Sequence, residues 1–241
     1  MNASIATNIF ISSILLWMVY LLGLKDEDIT RNSYLVIMPI MMMIRISKYW
    51  RQNTLLYFCE CTYFINFITY IFIFMNWNIL YIYPFHIGSM LTYGVIFGDT
   101  IYFNSWNVTM TFLLHFVGEI TCFIIYWNNE MELTHHDIQN YIAFAMATYY
   151  SWCIIYYLIM VLLINHRNCV IRDKLDHDTD TRITRQQIIE YIVRHFIGTH
   201  FNYVFGMIIM QCYYLSLFAI GIQVLVALYN GNRIYEKYCV I

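Results

Sequence analysis

Long apolar stretches separated by short polar connections run along the whole chain. A membrane-spanning helix needs about 20 predominantly apolar residues, and six stretches approach or exceed that length: 9–24, 54–75, 79–97, 108–127, 141–164 and 201–228. A seventh, 34–44, is shorter and contains Pro39, so it either spans by bending or re-enters on one side. The last is either one tilted helix or a hairpin broken near Gly206 or Gly221. The pattern predicts an all-α, polytopic transmembrane helix bundle with about six to eight spans.

Composition supports a lipid bilayer as the main partner of this chain. Hydrophobic residues make up 61% of the sequence and charged residues only 12%, whereas soluble domains carry about 25% charged residues. The formal net charge is −2. Such a chain has no basic field for nucleic acid, so we expect no nucleic-acid partner.

One integral membrane domain, residues 1–241, accounts for the whole chain. Its long polar stretch is an inner loop at 166–187, and the amphipathic pattern that follows predicts a surface helix at about 188–198. Lys and Arg cluster in 45–53 and 166–200 and are missing from 76–78 and 128–138. The positive-inside rule therefore places the first two segments, and the turn at 97–107, on the inner side.

Polar side chains inside apolar segments are the first candidates for chemistry, because they are expensive in hydrocarbon. His115 and Glu119 are four residues apart and share one face of a predicted helix, where a carboxylate can orient an imidazole base. Glu60 and Asn66 lie in the 54–75 segment. The alternative is that these groups form structural hydrogen bonds between helices.

The turn 97–107 is the second candidate. It carries Asp99, Thr100, Asn104, Ser105 and Asn107 at the predicted inner face. Short polar side chains of these types also cap helices, so a capping role remains the alternative.

We predict no bound metal ion. His135, His136 and Asp137 are adjacent in a polar stretch with no third ligand at helical spacing. The seven cysteines include no C-x-x-C pair, so they are expected to be buried thiols.

Four patches, in order along the chain, resemble the eukaryotic glycerophosphocholine acyltransferase family, as a divergent and shortened member. The patches are YFCECTYFIN at 57–66, the segment that begins at Gly88, FGDTIYFNS at 97–105 running on to His115, and YNGNRIYE at 229–236.

The resemblance implies an enzyme of phospholipid metabolism that moves a fatty acyl group from acyl-CoA to glycerophosphocholine, giving lysophosphatidylcholine. Acyl-CoA is then a co-substrate, and no cofactor is expected. The implied membrane is the endoplasmic reticulum, with the mitochondrial inner membrane as the alternative. The implied catalytic residues are His115, Glu119 and Ser105, and the implied substrate-binding residues are Glu60, Asn66, Asp99, Thr100, Asn104 and Asn107.

Three departures from the family pattern leave a second function open. The family has His, Asp and Lys where this chain has Asn104, Asn107 and Val108, and an asparagine does not accept a proton at neutral pH. The alternative is therefore a catalytically inactive relative that serves as a structural subunit of a larger membrane complex, for example a mitochondrial one. A transporter or channel is disfavoured, because the two halves contain no matching Gly/Pro-broken segments.

The Lys and Arg distribution predicts that segments 45–53 and 166–200 face the same compartment. In a cysteine-free background, single cysteines at Gln52 and His177 should react together with an impermeant maleimide added to one side of sealed vesicles. Asn76→Cys is the control and should react only from the other side. Reaction of Gln52→Cys and His177→Cys from opposite sides would disprove this topology.

Overall fold

The computed structural model describes residues 3–52, 55–88, 101, 106–129, 135–162 and 184–239. Within these ranges the chain is helical almost throughout and contains no strand, which confirms the all-α prediction. The long helices are α1 (Ala3–Leu24), α2 (Glu27–Arg51), α3 (Cys61–Phe74), α4 (Trp106–Asn128), α5 (His135–Leu162), α6 (Arg185–Ile209) and α7 (Tyr213–Cys239). Two 3-10 turns, Leu55–Cys59 and Ile79–Tyr81, and a helical segment at 83–88 connect them.

Three of the described helices are long and apolar enough to cross a bilayer, fewer than the predicted six to eight. They are Thr109–Asn128 in α4, Ile138–Met160 in α5 and Tyr213–Asn232 in α7. Asn8–Leu24, Cys61–Phe74 and Ile79–Gly88 are apolar but shorter. The 54–75 stretch is shortened because its first residues form a 3-10 turn and the α-helix begins only at Cys61.

Helix α4 is the centre of the packing. Of its membrane-length window, 94% is buried, against 22% for α5 and 33% for α7. Helices α1, α2, α3 and α7 all contact it. A predominantly apolar helix is expected to lie in the interior, and the 108–127 stretch is mostly apolar.

Helix α2 extends well beyond the predicted 34–44 segment on both sides. The Asp26 side chain accepts a hydrogen bond of 2.8 Å from the Ile29 backbone N–H and caps the N-terminus. Pro39 lies inside the helix. Near the other end Arg45 is buried, and its Nη2 donates to Thr111 Oγ1 of α4 at 2.9 Å. Acidic residues lie at the start of α2 and basic residues lie in its last turn. Charges in these positions interact favourably with the helix dipole and stabilise the helix.

Helices α5 and α6 pack antiparallel through aromatic and histidine rings. Tyr203 donates to the Tyr141 carbonyl at 3.3 Å near one end of the pair. Toward the other end, the Tyr156 and Tyr191 rings lie 5.6 Å apart. The predicted surface helix 188–198 is thus part of the longer α6, which begins at a capping box formed by Thr184.

The 201–228 stretch is divided between two helices. Helix α6 ends at Ile209 and α7 begins at Tyr213, so the break lies at 210–212 rather than at either predicted glycine. Gly206 and Gly221 are both inside helices. The first of them has a packing role instead.

Two glycines allow the 83–88 segment and α6 to approach backbone to backbone. A Cβ added at Gly88 would lie 1.8 Å from the Asn202 carbonyl oxygen, and one added at Gly206 would lie 2.3 Å from the Pro84 carbonyl oxygen. Pro84 and Gly88 are four residues apart, as are Asn202 and Gly206, so the crossing is reciprocal. Small residues at this spacing are a common interface between membrane helices.

This crossing predicts that Gly206→Ala destabilises the protein, because the new methyl group must displace rigid backbone. We expect a loss of about 1–3 kcal/mol in the free energy of unfolding, measured by thermal or denaturant unfolding in detergent. Gly198→Ala in the same helix is the control, since a Cβ there meets nothing within 4 Å. The control should be neutral or slightly stabilising through helix propensity, and equal effects at both glycines would contradict the crossing.

Candidate functional site

A small polar cavity lies where α3, the 83–88 segment, α4 and α6 meet. Its volume is about 30 Å³, enough for roughly one or two water molecules. Three imidazoles from three different elements converge on it, together with two threonines and two asparagines. The lining residues are Cys61, Thr62, Ile65, Asn66, Phe85, His86, His115, His195, Thr199 and Asn202.

His115 enters this cavity from the buried helix α4. Its side chain is 5% exposed, and its Nε2 lies 2.9 Å from the Thr62 hydroxyl of α3. An imidazole in contact with a hydroxyl is the arrangement that general-base catalysis on an alcohol requires. The predicted base therefore lies inside the bundle and does not face lipid.

Asn66 is held in one orientation beside it. Its Nδ2 donates to the Thr62 carbonyl at 2.9 Å, and its Oδ1 accepts from the Tyr34 hydroxyl at 3.2 Å. The amide has a second N–H, which makes no hydrogen bond within the described part of the chain. Of the sequence-predicted residues, His115 and Asn66 are thus brought together in one cavity.

His86 occupies space that a glycine leaves open. Its Nε2 lies 2.9 Å from the Thr69 hydroxyl, and a Cβ at Gly118 would lie 2.4 Å from His86 Cε1 and 3.0 Å from Asn66 Oδ1. The side chain of His86 is 2% exposed. The missing side chain at Gly118 therefore leaves the space in which His86 and Asn66 both contact α4.

His195 is a cavity residue that the sequence reasoning missed, because it was placed on a surface helix. Its Nδ1 lies 3.1 Å from the Tyr149 hydroxyl and 3.0 Å from the Thr199 hydroxyl. A signal was present in the sequence: His195, Thr199 and Asn202 recur at i, i+4 and i+7, which is one face of a helix. Because α6 is one continuous helix, these three residues form a polar stripe on it.

Glu119 lies one turn along α4 from His115 and is fully buried. Its hydrogen bond goes to α7, where Gln223 Nε2 donates to Glu119 Oε1 at 3.3 Å. The second carboxyl oxygen of Glu119 and the amide oxygen of Gln223 have no hydrogen-bond partner within the described part of the chain. The predicted orientation of His115 by this carboxylate remains a prediction.

The remaining predicted residues are placed only in part. Glu60 is half-buried at the N-cap position of α3, directly before the cavity residue Cys61, and makes no side-chain capping bond. Asp99, Thr100, Asn104 and Ser105 lie outside the described residues, as does the side chain of Asn107 in the first turn of α4.

Among the side chains that the structure describes, no group of three or more His, Cys, Asp or Glu residues is arranged to hold a metal ion. The side chains of His135, His136 and Asp137 are not among those described. The backbones of these three residues begin α5.

A second, larger cavity lies between α2, α3 and α5. It is a lateral groove of about 630 Å³ with an almost wholly apolar and aromatic lining. The lining residues are Met38, Pro39, Met42, Ile46, Phe58, Cys59, Tyr63, Phe64, Asn66, Phe67, Tyr70, Trp152, Ile155, Tyr156 and Ile159. Asn66 lines both this groove and the polar cavity, so the two share one buried amide.

Comparison with known proteins gives no match for this chain among protein-family models, curated proteins or solved structures. The family resemblance accordingly depends on the four sequence patches alone.

The Glu119–Gln223 pair predicts that removing one partner destabilises the protein more than replacing both. Gln223→Leu should cost about 1–3 kcal/mol in the free energy of unfolding, since it leaves the buried carboxyl without its donor. The double variant Glu119→Leu/Gln223→Leu should recover most of that loss, because two apolar partners of similar shape replace a poorly satisfied pair. Denaturant unfolding of the four proteins of the cycle checks this, and additive losses would contradict the coupling.

Proposed function

We propose that this chain is an acyltransferase that moves a fatty acyl group from acyl-CoA to glycerophosphocholine, giving lysophosphatidylcholine. One observation carries the proposal: the His115–Thr62 pair and the Asn66 amide lie in a polar cavity inside the bundle, next to an apolar groove. A transfer between an amphiphilic donor and a water-soluble acceptor needs both environments at one place.

In this proposal His115 is the general base. The acceptor hydroxyl takes the place of the Thr62 hydroxyl as the hydrogen-bond partner of His115. The His115 Nε2 then takes its proton, and the hydroxyl oxygen attacks the thioester carbonyl carbon. A C–O bond forms, the C–S bond breaks, and the departing thiolate receives the proton held by the imidazolium. The second N–H of Asn66 and the hydroxyls of Ser105 and Thr100 are the proposed donors to the oxyanion and to the acceptor.

The other predicted residues have supporting roles in the proposal. Glu119, one turn from His115 on α4, is the proposed catalytic partner of that base, and Glu60, Asp99, Asn104 and Asn107 are the proposed acceptor-binding residues. We propose the endoplasmic reticulum membrane as the location, with the mitochondrial inner membrane as the alternative. We also propose about six to eight spans, in which the shorter apolar helices accompany the three of full length.

The central test is transfer of labelled acyl groups from acyl-CoA to glycerophosphocholine by membranes that contain the protein. His115→Ala should lower the rate by about 10²–10⁴-fold, the usual contribution of a general base. His200→Ala is the control, because this histidine of α6 hydrogen bonds to the Phe196 carbonyl and not to the cavity residues. Activity that His115→Ala leaves unchanged would exclude this assignment.

If the wild type is inert, the test extends to the positions that depart from the family. Asn104→His, alone or with Asn107→Asp, should then restore measurable turnover, because it supplies the imidazole that the family pattern contains. If neither the wild type nor the double variant shows turnover, the result favours the second function, a structural subunit.

That second function is a structural subunit of a larger membrane complex. The size of the cavity favours it, since about 30 Å³ is much smaller than a glycerophosphocholine molecule and a polar core of this kind also fastens helices together. Gentle solubilisation and native gel electrophoresis separate the two functions. A subunit should migrate at one large, constant mass with the same partners, whereas an independent enzyme should retain activity as the isolated chain.

A further inference from the structure

Polar side chains form a series through the interior of the bundle, between its two charged ends. The acidic end is where α2 begins, with Asp26, Glu27 and Asp28, and the basic end is where α2 finishes, with Lys48 and Arg51, and where α6 begins. Polar groups between these ends lie at the depth of the hydrocarbon. They are expensive there, and series of hydroxyl and imidazole groups at that depth are typical of proton pathways.

A polar pocket of about 660 Å³ lies at the acidic end. Its walls include the three acidic residues of α2, together with Arg31, Ile73 and Asn76. Acidic side chains raise the local concentration of cations, protons included. Ile73 is one turn from Thr69 on α3, and Arg31 is one turn from Tyr34 on α2. The pocket therefore brings the aqueous phase to within one helical turn of two buried hydroxyls.

Thr69 and His86 continue the series inward. Both side chains are buried, and the Thr69 hydroxyl lies 2.9 Å from His86 Nε2. The same hydroxyl lies 2.8 Å from the Ile65 carbonyl, so it can rotate between two acceptors. At the same level the Tyr34 hydroxyl reaches Asn66 at 3.2 Å. Because a hydroxyl and a neutral imidazole each both accept and donate, a proton can pass from one to the other.

The polar cavity is the middle of the series, and His195 leads from it to the basic end. His86 and His195 both line this cavity, which has room for one or two water molecules. His195 Nδ1 lies 3.0 Å from the Thr199 hydroxyl. The preceding residue, Arg194, is paired with Glu190, and both of these side chains are exposed. A charged pair of this kind belongs at the membrane surface, so His195 lies at the edge of the hydrocarbon.

We propose that this series is a proton relay through the membrane. It runs from the acidic pocket through Thr69 and His86 to water in the polar cavity, and leaves past His195. Each group takes up one proton and releases another, so no proton is consumed and the net result is transfer from one surface to the other. A relay involves no alternating carrier and does not need the matching halves of a transporter. It needs no acyl-CoA either, so it goes beyond the proposed function.

The experiment measures proton flux with the purified full-length protein in phosphatidylcholine vesicles. The vesicles contain the pH-sensitive dye pyranine, and a potassium gradient with valinomycin supplies the driving potential. The wild type should acidify the interior about tenfold faster than protein-free vesicles, because the relay replaces a crossing of bare hydrocarbon. A rate equal to that of protein-free vesicles would overturn the proposal. Passage of Na⁺ as well as protons would indicate an open pore and would also overturn it.

Near-isosteric variants identify the route. Thr69→Val removes the hydroxyl that contacts His86, and Thr69→Ser retains it. Thr69→Val should lower the protein-dependent flux about tenfold or more, because it places an apolar gap in the series, whereas Thr69→Ser should conduct like the wild type. The matched control is Thr121→Val, at a buried threonine of α4 whose hydroxyl has no hydrogen-bond partner within the described part of the chain. Equal flux in Thr69→Val and Thr121→Val would exclude this route.

A second pair of variants tests the imidazole. His86→Leu should also lower the flux about tenfold or more, since leucine neither accepts nor donates a proton. His200→Leu is its control, because His200 does not line the polar cavity. Unfolding midpoints within the range of the two control variants verify that Thr69→Val and His86→Leu are folded. Flux that persists in His86→Leu would overturn the relay.

The same preparations separate this inference from the proposed function. Proton flux without acyl transfer would support the relay and remove the enzyme. Acyl transfer without proton flux would keep the enzyme and remove the relay. Flux that appears only when acyl-CoA is added would contradict an independent relay.

Discussion

The burial of α4 on every side is the constraint on which the rest of the bundle depends. A polar group on such a helix cannot turn to water, and in hydrocarbon an unsatisfied one costs several kcal/mol. The neighbouring helices must therefore supply its partners. Three of them do so: Thr62 of α3 for His115, Gln223 of α7 for Glu119, and Arg45 of α2 for Thr111. These three contacts also fix where the neighbours of α4 lie around it.

Small residues then decide how close those neighbours come. Gly118 lets the His86 ring lie against α4, and the Gly88 and Gly206 contacts bring α6 against the 83–88 segment at backbone distance. Only with α6 this close does His195 reach the cavity. The polar site is thus a consequence of glycine packing as much as of the polar residues themselves, and a larger side chain at any of these glycines would move an imidazole.

Periodicity and charge predicted the helical class and the first candidate residues, because both are properties of local sequence. His115 and Asn66 were identified as intramembrane polar groups, and they share the cavity. What local sequence does not contain is the distance between segments. The partner of Glu119 is Gln223, more than a hundred residues away, and no pattern within α4 indicates it. Helix ends were misjudged where hydropathy was continuous: α6 and α7 meet at 210–212, inside one apolar stretch, and α2 continues past its apolar centre into charged turns.

The three imidazoles make the absence of a histidine at position 104, where the family pattern has one, less important. An enzyme that had lost its single base would be expected to retain only polar side chains that fasten helices. This cavity instead contains His86, His115 and His195, each within hydrogen-bond distance of a threonine hydroxyl. Of the three, His115 projects from the central helix toward the side of α3 that carries Asn66, the residue shared with the apolar groove. In the proposed acyltransferase, His115 is therefore the base, and its contact with Thr62 holds it in place without a histidine at 104.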